Sequence, residues 1–429
     1  MNKEIIEGKN YLNDSKDSKT VLVFMVGYMS SVLLFSHLQT LSIISQVLFV
    51  LAFGGGGAYM FLHGKNFRYD SFLKWLALFI VFCFISIFWS INKSNTVSKI
   101  ITLIQLFALS VVMYSYISAY NNIGVFIRGL LVSGLICSCV VIGYYGIGEY
   151  INLMMSGTRL GGGITNVNTI GLYSSTTVIL CFYYAYFKSE KIMYIVMILP
   201  LLTSFGSGSR KALAFVVLGI GMLIFMKYHN KISLQSFFKF ALAIAVVVLA
   251  VFWASTLPIF SGVFDRFREM TGGVTGLKDS STLVRESMVR IGFQYFKEHP
   301  YTGMGIGNSS IILGETINRE TYFHNNFIEL LASCGVFGFL IYHGMYVYLI
   351  KNLYIVATKT GDSTAMLMFV LILTQLILSY GFVSYYDKMT YIYLSMAAAA
   401  LSIARRKMYE GEYDDSDEVT EGELEKISK

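Results

Sequence analysis

Four short polar clusters, set in a chain that is otherwise largely apolar, carry side chains able to bind an anion and to move a proton. The first is Arg159-Leu160-Gly161-Gly162-Gly163, which leads through Asn166 and Asn168 into an apolar run. The second is Ser207-Gly208-Ser209-Arg210-Lys211, a tight turn whose serines suit the capping of the helix that follows. A helix N-terminus beside a guanidinium favours a phosphate. The third lies in the polar stretch from Pro258 to Tyr322, where Ser280-Ser281-Thr282 is placed to cap a helix over about 283–297. Val284, Met288, Ile291 and Tyr295 fall on one face of that helix, and Arg285, Glu286, Arg290 and Lys297 lie away from it. His299-Pro300 stops the helix, and Thr302-Gly303-Met304-Gly305-Ile306-Gly307-Asn308 forms a turn through which backbone could approach a ligand closely. The fourth cluster is Tyr322-Phe323-His324-Asn325-Asn326, and histidine is the side chain best able to accept a proton near neutral pH. Each cluster also has a reading without chemistry: a snorkelling arginine, an ordinary turn, an amphipathic helix resting on a membrane surface, an interfacial histidine.

The elements that must position these clusters are membrane helices. Hydrophobic residues make up 55% of the chain and charged ones 14%, and apolar runs of the length needed to cross about 30 Å of hydrocarbon recur along it. The expected fold is therefore an all-α polytopic membrane protein, with about twelve spans near 20–37, 40–62, 72–91, 97–118, 123–147, 168–187, 191–206, 209–228, 236–257, 327–350, 363–385 and 388–404. An even count returns both termini to one side. The set on that side holds Lys65, Arg68, Lys74, Arg128, Lys188, Lys191, Lys227, Lys231, Lys239, Lys351, Lys359 and Arg405-Arg406-Lys407, and the short connections opposite hold Lys93, Lys99, Arg159, Arg210, Lys211 and Lys388. The excess of Lys and Arg marks the first side as cytoplasmic. The chain then divides into a cytoplasmic segment 1–19, nine spans within 20–257, a large outward-facing loop 258–326 containing short amphipathic helices, three spans within 327–404 and an acidic cytoplasmic tail 405–429.

Other features limit the chemistry. The first nineteen residues carry no basic segment leading to a cleavage site. Cys83, Cys137, Cys139, Cys181 and Cys334 show no metal spacing and read as small buried hydrophobes. No HxxH, clustered carboxylates or paired aspartates stand on the outer face, and Asp265 and Asp279 are isolated, so no metal or other cofactor is expected. A transporter would leave ionisable groups at mid-membrane or broken helices in matching halves, and the clear midspan candidate is His343. The run Gly54-Gly55-Gly56-Gly57 fits either close helix packing or a local break.

Taken together the clusters resemble the O-antigen ligase and polysaccharide polymerase superfamily of bacterial envelope glycan assembly. The resemblance rests on Arg159 to Gly163 with Asn166 and Asn168, on Ser209-Arg210, on Arg285 before His299-Pro300-Tyr301-Thr302-Gly303-Met304-Gly305-Ile306-Gly307-Asn308, and on His324-Asn325-Asn326-Phe327-Ile328-Glu329-Leu330-Leu331 with Gly335 and Gly338. It spans about the middle half of the chain and departs from the family at Val167, where many members carry proline. It implies a metal-independent membrane glycosyltransferase resembling the C-type superfamily, in the bacterial plasma membrane with its active site facing the periplasm or exterior. The implied partners are an undecaprenyl-diphosphate-linked oligosaccharide donor, a glycan acceptor and membrane lipids, with a chain-length regulator and a flippase alongside and no nucleic acid.

In that reading Arg210 and Arg285 hold the diphosphate and His324 assists the acceptor hydroxyl as general base. Arg159, Lys211, Arg290, Asn168, Asn325 and Tyr322 contribute to substrate binding. A guanidinium stays charged and presents a planar fork of donors to phosphate oxygens. Polymerase is preferred over ligase because one family serves many capsule and O-antigen loci, whereas a lipid A-core ligase belongs only to envelopes with an outer membrane. A flippase for lipid-linked oligosaccharide and a non-catalytic export scaffold are the readings of another class.

Overall fold

The structure is a computed structural model that describes residues 20–21, 23–32, 42–156, 158–160, 166–228, 256 and 280–414. The N-terminal segment 1–19, the glycines at 161–163, the expected span 236–257 apart from Thr256, loop residues 258–279 and the acidic residues 415–429 lie outside the described residues. Every described element is a helix. In chain order these are α1 (Val23–Val32), α2 (Ile43–Leu62), α3 (Ser71–Phe88), α4 (Lys93–Tyr120), α5 (Ile123–Tyr145), α6 (Ile147–Met155) and α7 (Val167–Phe187). There follow α8 (Met193–Gly206), α9 (Arg210–Tyr228), α10 (Ser280–Glu298), α11 (Ser309–Ile317), α12 (Asn326–Thr360), α13 (Ser363–Gly381) and α14 (Lys388–Asp414).

Among the described residues eight helices, not twelve, are long and apolar enough to cross a membrane: α2 to α5, α7, α9, α12 and α13. The expected spans at 20–37 and 191–206 appear as the shorter apolar helices α1 and α8. The expected span at 388–404 forms as α14, with polar Thr390, Ser395 and Ser402 along it, and continues through Arg405 and Arg406 to Asp414. The first residues expected as tail, 405–414, are thus helical and continuous with α14. Of the five cysteines Cys139 is exposed, which corrects the expectation that all are buried; the other four are buried.

The glycine run of α2 serves both expected purposes. The helix winds as a π-turn over Val50–Gly54 before resuming at Gly55. A Cβ on Gly56 would stand 3.0 Å from Met25, 3.3 Å from Val21 and 3.4 Å from Val112, so close approach to α1 and α4 needs the missing side chain. The same economy joins α14 to α4, where Ala397, Ala398, Ala399 and Ala400 and the serines 110, 115 and 118 are all buried.

Hydrogen bonds between distant segments sort the helix ends into two layers. At one end Arg68 donates to Ser118 O at 3.0 Å, Arg406 to the same carbonyl at 2.9 Å, Tyr348 to Asp70 at 2.7 Å and Arg405 to Tyr348 at 3.2 Å. At the other, Asn308 donates to Ser90 at 2.9 Å, Thr96 to Ile306 O at 2.8 Å, and Ser384 and Tyr385 to Asn326 at 2.9 and 3.1 Å. The second layer holds the polar clusters.

Candidate active site at the polar helix ends

The glycine-rich turn proves to be architecture. α12 is broken at Gly335, whose φ of 61° and ψ of −168° interrupt the helical ladder and free its backbone groups. Buried in a membrane protein, those groups need partners. Residues 300–305 supply them: Met304 N donates to Ala332 O at 3.0 Å and Gly305 N to Ser333 O at 2.9 Å, while Val336 N donates to Pro300 O at 2.8 Å. Cβ atoms on Gly303 or Gly335 would collide with backbone of the opposing segment, and Gly303, Gly305 and Gly307 all take positive φ (66°, 88° and 79°). The expected close approach of backbone is real, but the partners are α12, α4 and Ser90.

The loop helix α10 behaves similarly. Its apolar face, with Val284, Met288, Ile291 and Tyr295, packs with Met304, Ile312, Leu313, Phe323, Ile328 and Ala332 rather than lying on a membrane surface. That docking fixes what the rest of the helix presents. Arg285 is half-buried, and its charge acts on Tyr322, His324 and Lys211. Arg290 stands about 140° further round the helix at 3.6 residues per turn, is exposed, and is not brought to the site.

The motif from 324 to 326 divides three tasks among adjacent residues. Asn325 caps α12 by accepting from Phe327 N at 2.9 Å and Ile328 N at 3.2 Å, so its side chain serves the helix and not the cavity. Asn326 Oδ1 holds the backbone of Ser384 and Tyr385, tying the turn after α13 to the base of α12. His324 is left to face the cavity, with a left-handed φ of 56° that is costly for a residue with a Cβ. The strain is held from below by Glu329, whose carboxylate accepts from Phe323 N at 3.0 Å and from Ser309 Oγ at 2.7 Å. Sequence reasoning missed Glu329, because an acid in the first turn of an apolar helix looks like an ordinary partner for the helix dipole.

A cavity of about 330 Å³ opens at this layer between α7, α9 and the turn joining α13 to α14. Asn168, Lys211, Tyr322 and His324 line it, as the sequence leads one to expect. The imidazole of His324 lies 4.3 Å from the Tyr322 ring, centre to centre. Burial, and then the charges of Arg285 and Lys211, lower the His324 pKa from 6.5 to about 4, so the ring is neutral and free to take a proton at neutral pH.

Arg159, Arg210 and Arg285 are not on the cavity wall, but all three charges act on Lys211, which is. Arg159 donates to Ser207 O at 3.0 Å and to Asn168 Oδ1 at 2.7 Å, which locks the 159 loop to the 207–209 turn and orients Asn168. Lys211 Nζ donates to Gly381 O. The serine caps expected before α9 take another form: Ser207 Oγ accepts from Ser209 N at 3.2 Å, and Ser209 Oγ is buried without a partner among the described residues.

Sequence reasoning also missed the opposite wall. Gly381, Phe382, Val383, Tyr386, Asp387, Lys388 and Met389 line the cavity, with Gln375 and Thr176 beneath. Asp387 caps α14 by accepting from Thr390 N at 2.9 Å, and Lys99 Nζ lies 3.7 Å from the centre of the Tyr386 ring. His343, the midspan candidate of the transporter reading, is stacked on Phe327, and its Nδ1 meets Phe339 O at 2.8 Å.

The assembly therefore presents a cluster of cations drawn from three separate segments, a neutral histidine in a strained backbone, and a cavity with polar and aromatic walls. Such a site can hold a polyvalent anion and accept a proton beside it. A comparison with curated proteins finds no match. Residues 195–343 match the family model described as O-antigen ligase, a span that runs from α8 through Arg210, Lys211, Arg285, His324 and Glu329 to His343. Over this stretch the chain is similar to the O-antigen ligase family, which supports the resemblance carried by the polar clusters.

Proposed function

We propose that the protein is a polysaccharide polymerase that transfers glycan from an undecaprenyl-diphosphate-linked donor to a sugar hydroxyl of a lipid-linked acceptor. The observation that carries this reading is the convergence of Arg159, Arg210 and Arg285 on Lys211, beside a neutral His324 at a cavity large enough for sugar rings. In the reaction the acceptor oxygen attacks the anomeric carbon of the donor sugar. The bond from that carbon to the phosphate oxygen breaks, its electron pair leaves with the diphosphate, and His324 takes the hydroxyl proton. Diphosphate is already a good leaving group, so the cations need only hold it and stabilise the charge that develops. The reading calls on no metal ion. It places the site at the outer face of the plasma membrane, in an arrangement of about twelve spans with both termini inside.

The match to an O-antigen ligase family supports transfer chemistry of this kind and leaves ligase as the second reading, with the same donor and leaving group. Purified protein in lipid nanodiscs, given lipid-linked repeat units with and without a lipid A-core acceptor, tests both. Longer lipid-linked glycan together with free undecaprenyl diphosphate, unaffected by a chelator, is the expected result. Transfer only to lipid A-core would make the protein a ligase, and absence of any new linkage would defeat the enzyme reading in favour of transport or scaffolding.

A further inference from the structure

Among the described residues, Gln375 Oε1 is the one buried polar atom without a hydrogen-bond partner that belongs to the cavity wall. Gln375 lies within α13, about 9 Å below Gly381 at 1.5 Å per residue, and is 5% exposed. A neutral amide this far inside an apolar helix is costly unless its groups are satisfied. Half of it is. Gln375 Nε2 donates to Thr390 Oγ1 at 2.7 Å, and Thr390 Oγ1 donates in turn to Asp387 Oδ2 at 2.9 Å. Because the Thr390 hydroxyl has given its proton to a carboxylate, only a donor can face its oxygen, which fixes the amide with NH₂ toward Thr390 and Oε1 left over.

The surroundings say what would satisfy Oε1. Tyr173, Tyr386 and Tyr393 line the same cavity, and Tyr393 donates to Thr176 Oγ1 at 3.2 Å along its floor. Aromatic walls with a few fixed polar groups suit a ring that is apolar on its faces and rich in hydroxyls at its edge. A polyprenyl chain has no donor to offer. Lys211 lines the same cavity but is held at Gly381 O, about 9 Å along α13 from Gln375, so a sugar bound at Gln375 would sit apart from a diphosphate held by the cations.

Resting on the polymerase reading above, we propose that Gln375, with Thr176 and the three tyrosines, forms a subsite for the acceptor glycan, with Gln375 Oε1 accepting a hydrogen bond from a sugar hydroxyl. Gln375 is then a specificity-determining residue for the acceptor, set apart from the donor's diphosphate.

The test titrates protein in nanodiscs with two probes: the repeat-unit oligosaccharide released from its lipid carrier, and undecaprenyl diphosphate. Gln375→Met should weaken oligosaccharide binding about tenfold, as the loss of one neutral hydrogen bond implies, leave undecaprenyl diphosphate binding unchanged, and leave the ligand-free protein as stable as wild type or more so. Gln375→Glu, which keeps an acceptor oxygen, should bind the oligosaccharide more tightly than the Met variant. Unchanged oligosaccharide affinity in Gln375→Met would overturn the subsite, as would equal losses for both probes with a lowered melting temperature. If wild type makes no new glycosidic bond, the polymerase reading falls while the oligosaccharide titration still decides the subsite. If wild type elongates glycan but binds no oligosaccharide, the subsite falls and the reading stands.

Discussion

Both ends of the helix bundle are rich in arginine and lysine, yet they use those charges in different ways. At the end holding Arg68, Arg405 and Arg406, the guanidinium groups are bound into the fold: Arg68 and Arg406 share the Ser118 carbonyl, and Arg405 reaches Tyr348 and Asn352. Arg128 pairs with Glu190 at 2.5 Å. At the other end Arg159, Arg210 and Arg285 act on Lys211, and Arg285 and Lys211 act on His324. Arg285 is half-buried there. Arg159 and Lys211 are also held, at Ser207 O and Gly381 O, but here the cations crowd against one another, which stores repulsion that an anionic ligand relieves.

Mutations at the two ends should therefore differ in kind. His324→Ala is expected to have the largest effect, a loss of about 10²–10⁴-fold in turnover with protein level intact. Wild-type glycan yield and length from that variant would remove the histidine from the mechanism. Arg285→Ala should cost about 10²–10³-fold, by loss of charge at the leaving group. It should also change the pH profile of kcat/KM. With the His324 pKa at about 4, the wild-type acid limb lies near that value and activity is flat through neutrality. Removing Arg285 takes away one of the charges that lower the pKa, so the limb should move up toward 6.5; a limb that stays put would contradict the coupling. The same depressed pKa carries a stability consequence. Between about 6.5 and 4 the unfolded chain binds the proton and the folded one does not, so the ligand-free protein loses stability as pH falls through that window.

Glu329→Ala should lower kcat by roughly 10²-fold with little change in donor KM, because freeing the Phe323 amide lets the strained His324 backbone drift. Glu329→Gln keeps an acceptor for that amide and should recover most of the loss. Equal damage from both variants would assign Glu329 to folding alone. At the opposite end Arg405→Ala should leave activity per folded molecule unchanged and lower stability by roughly 1–3 kcal/mol through its two lost hydrogen bonds. Reduced turnover without reduced stability in that variant would erase the contrast between the two ends.

The sequence made the chemistry of the site more legible than its construction. Arg159, Arg210, Lys211, Arg285 and His324 stand out because charged residues interrupt apolar runs, and three of those five, Arg210, Lys211 and His324, sit on or beside helix starts whose direction the runs imply. What each neighbour does was harder to read. Asn325 beside a histidine looks like a ligand-binding residue, but an asparagine immediately before a helix is also its natural cap, and here the cap prevails. Gly303, Gly305 and Gly307 announce close backbone approach without saying to what, since the break at Gly335 that they fill becomes apparent only when α12 is built. Gln375, Glu329 and Lys99 are single polar residues within apolar runs, and no spacing rule links them to a site assembled across more than two hundred residues. The eight qualifying helices among the described residues fall short of the expected twelve at helices too short or too polar to qualify by themselves, which hold their places by packing on neighbours, and at 236–257, which lies almost wholly outside the described residues.

The titration of His324 in the presence and absence of a diphosphate ligand bears most directly on the claim that these cations were gathered for an anion. Histidine NMR on protein in nanodiscs, with the signal assigned through His324→Gln, would follow the ring through the acid range. The account predicts a pKa near 4 in the free protein and a rise toward 6.5 when undecaprenyl diphosphate is bound and neutralises Arg285 and Lys211. A ring that titrates near 6.5 in both states, or one that stays near 4 with the ligand bound, would contradict it.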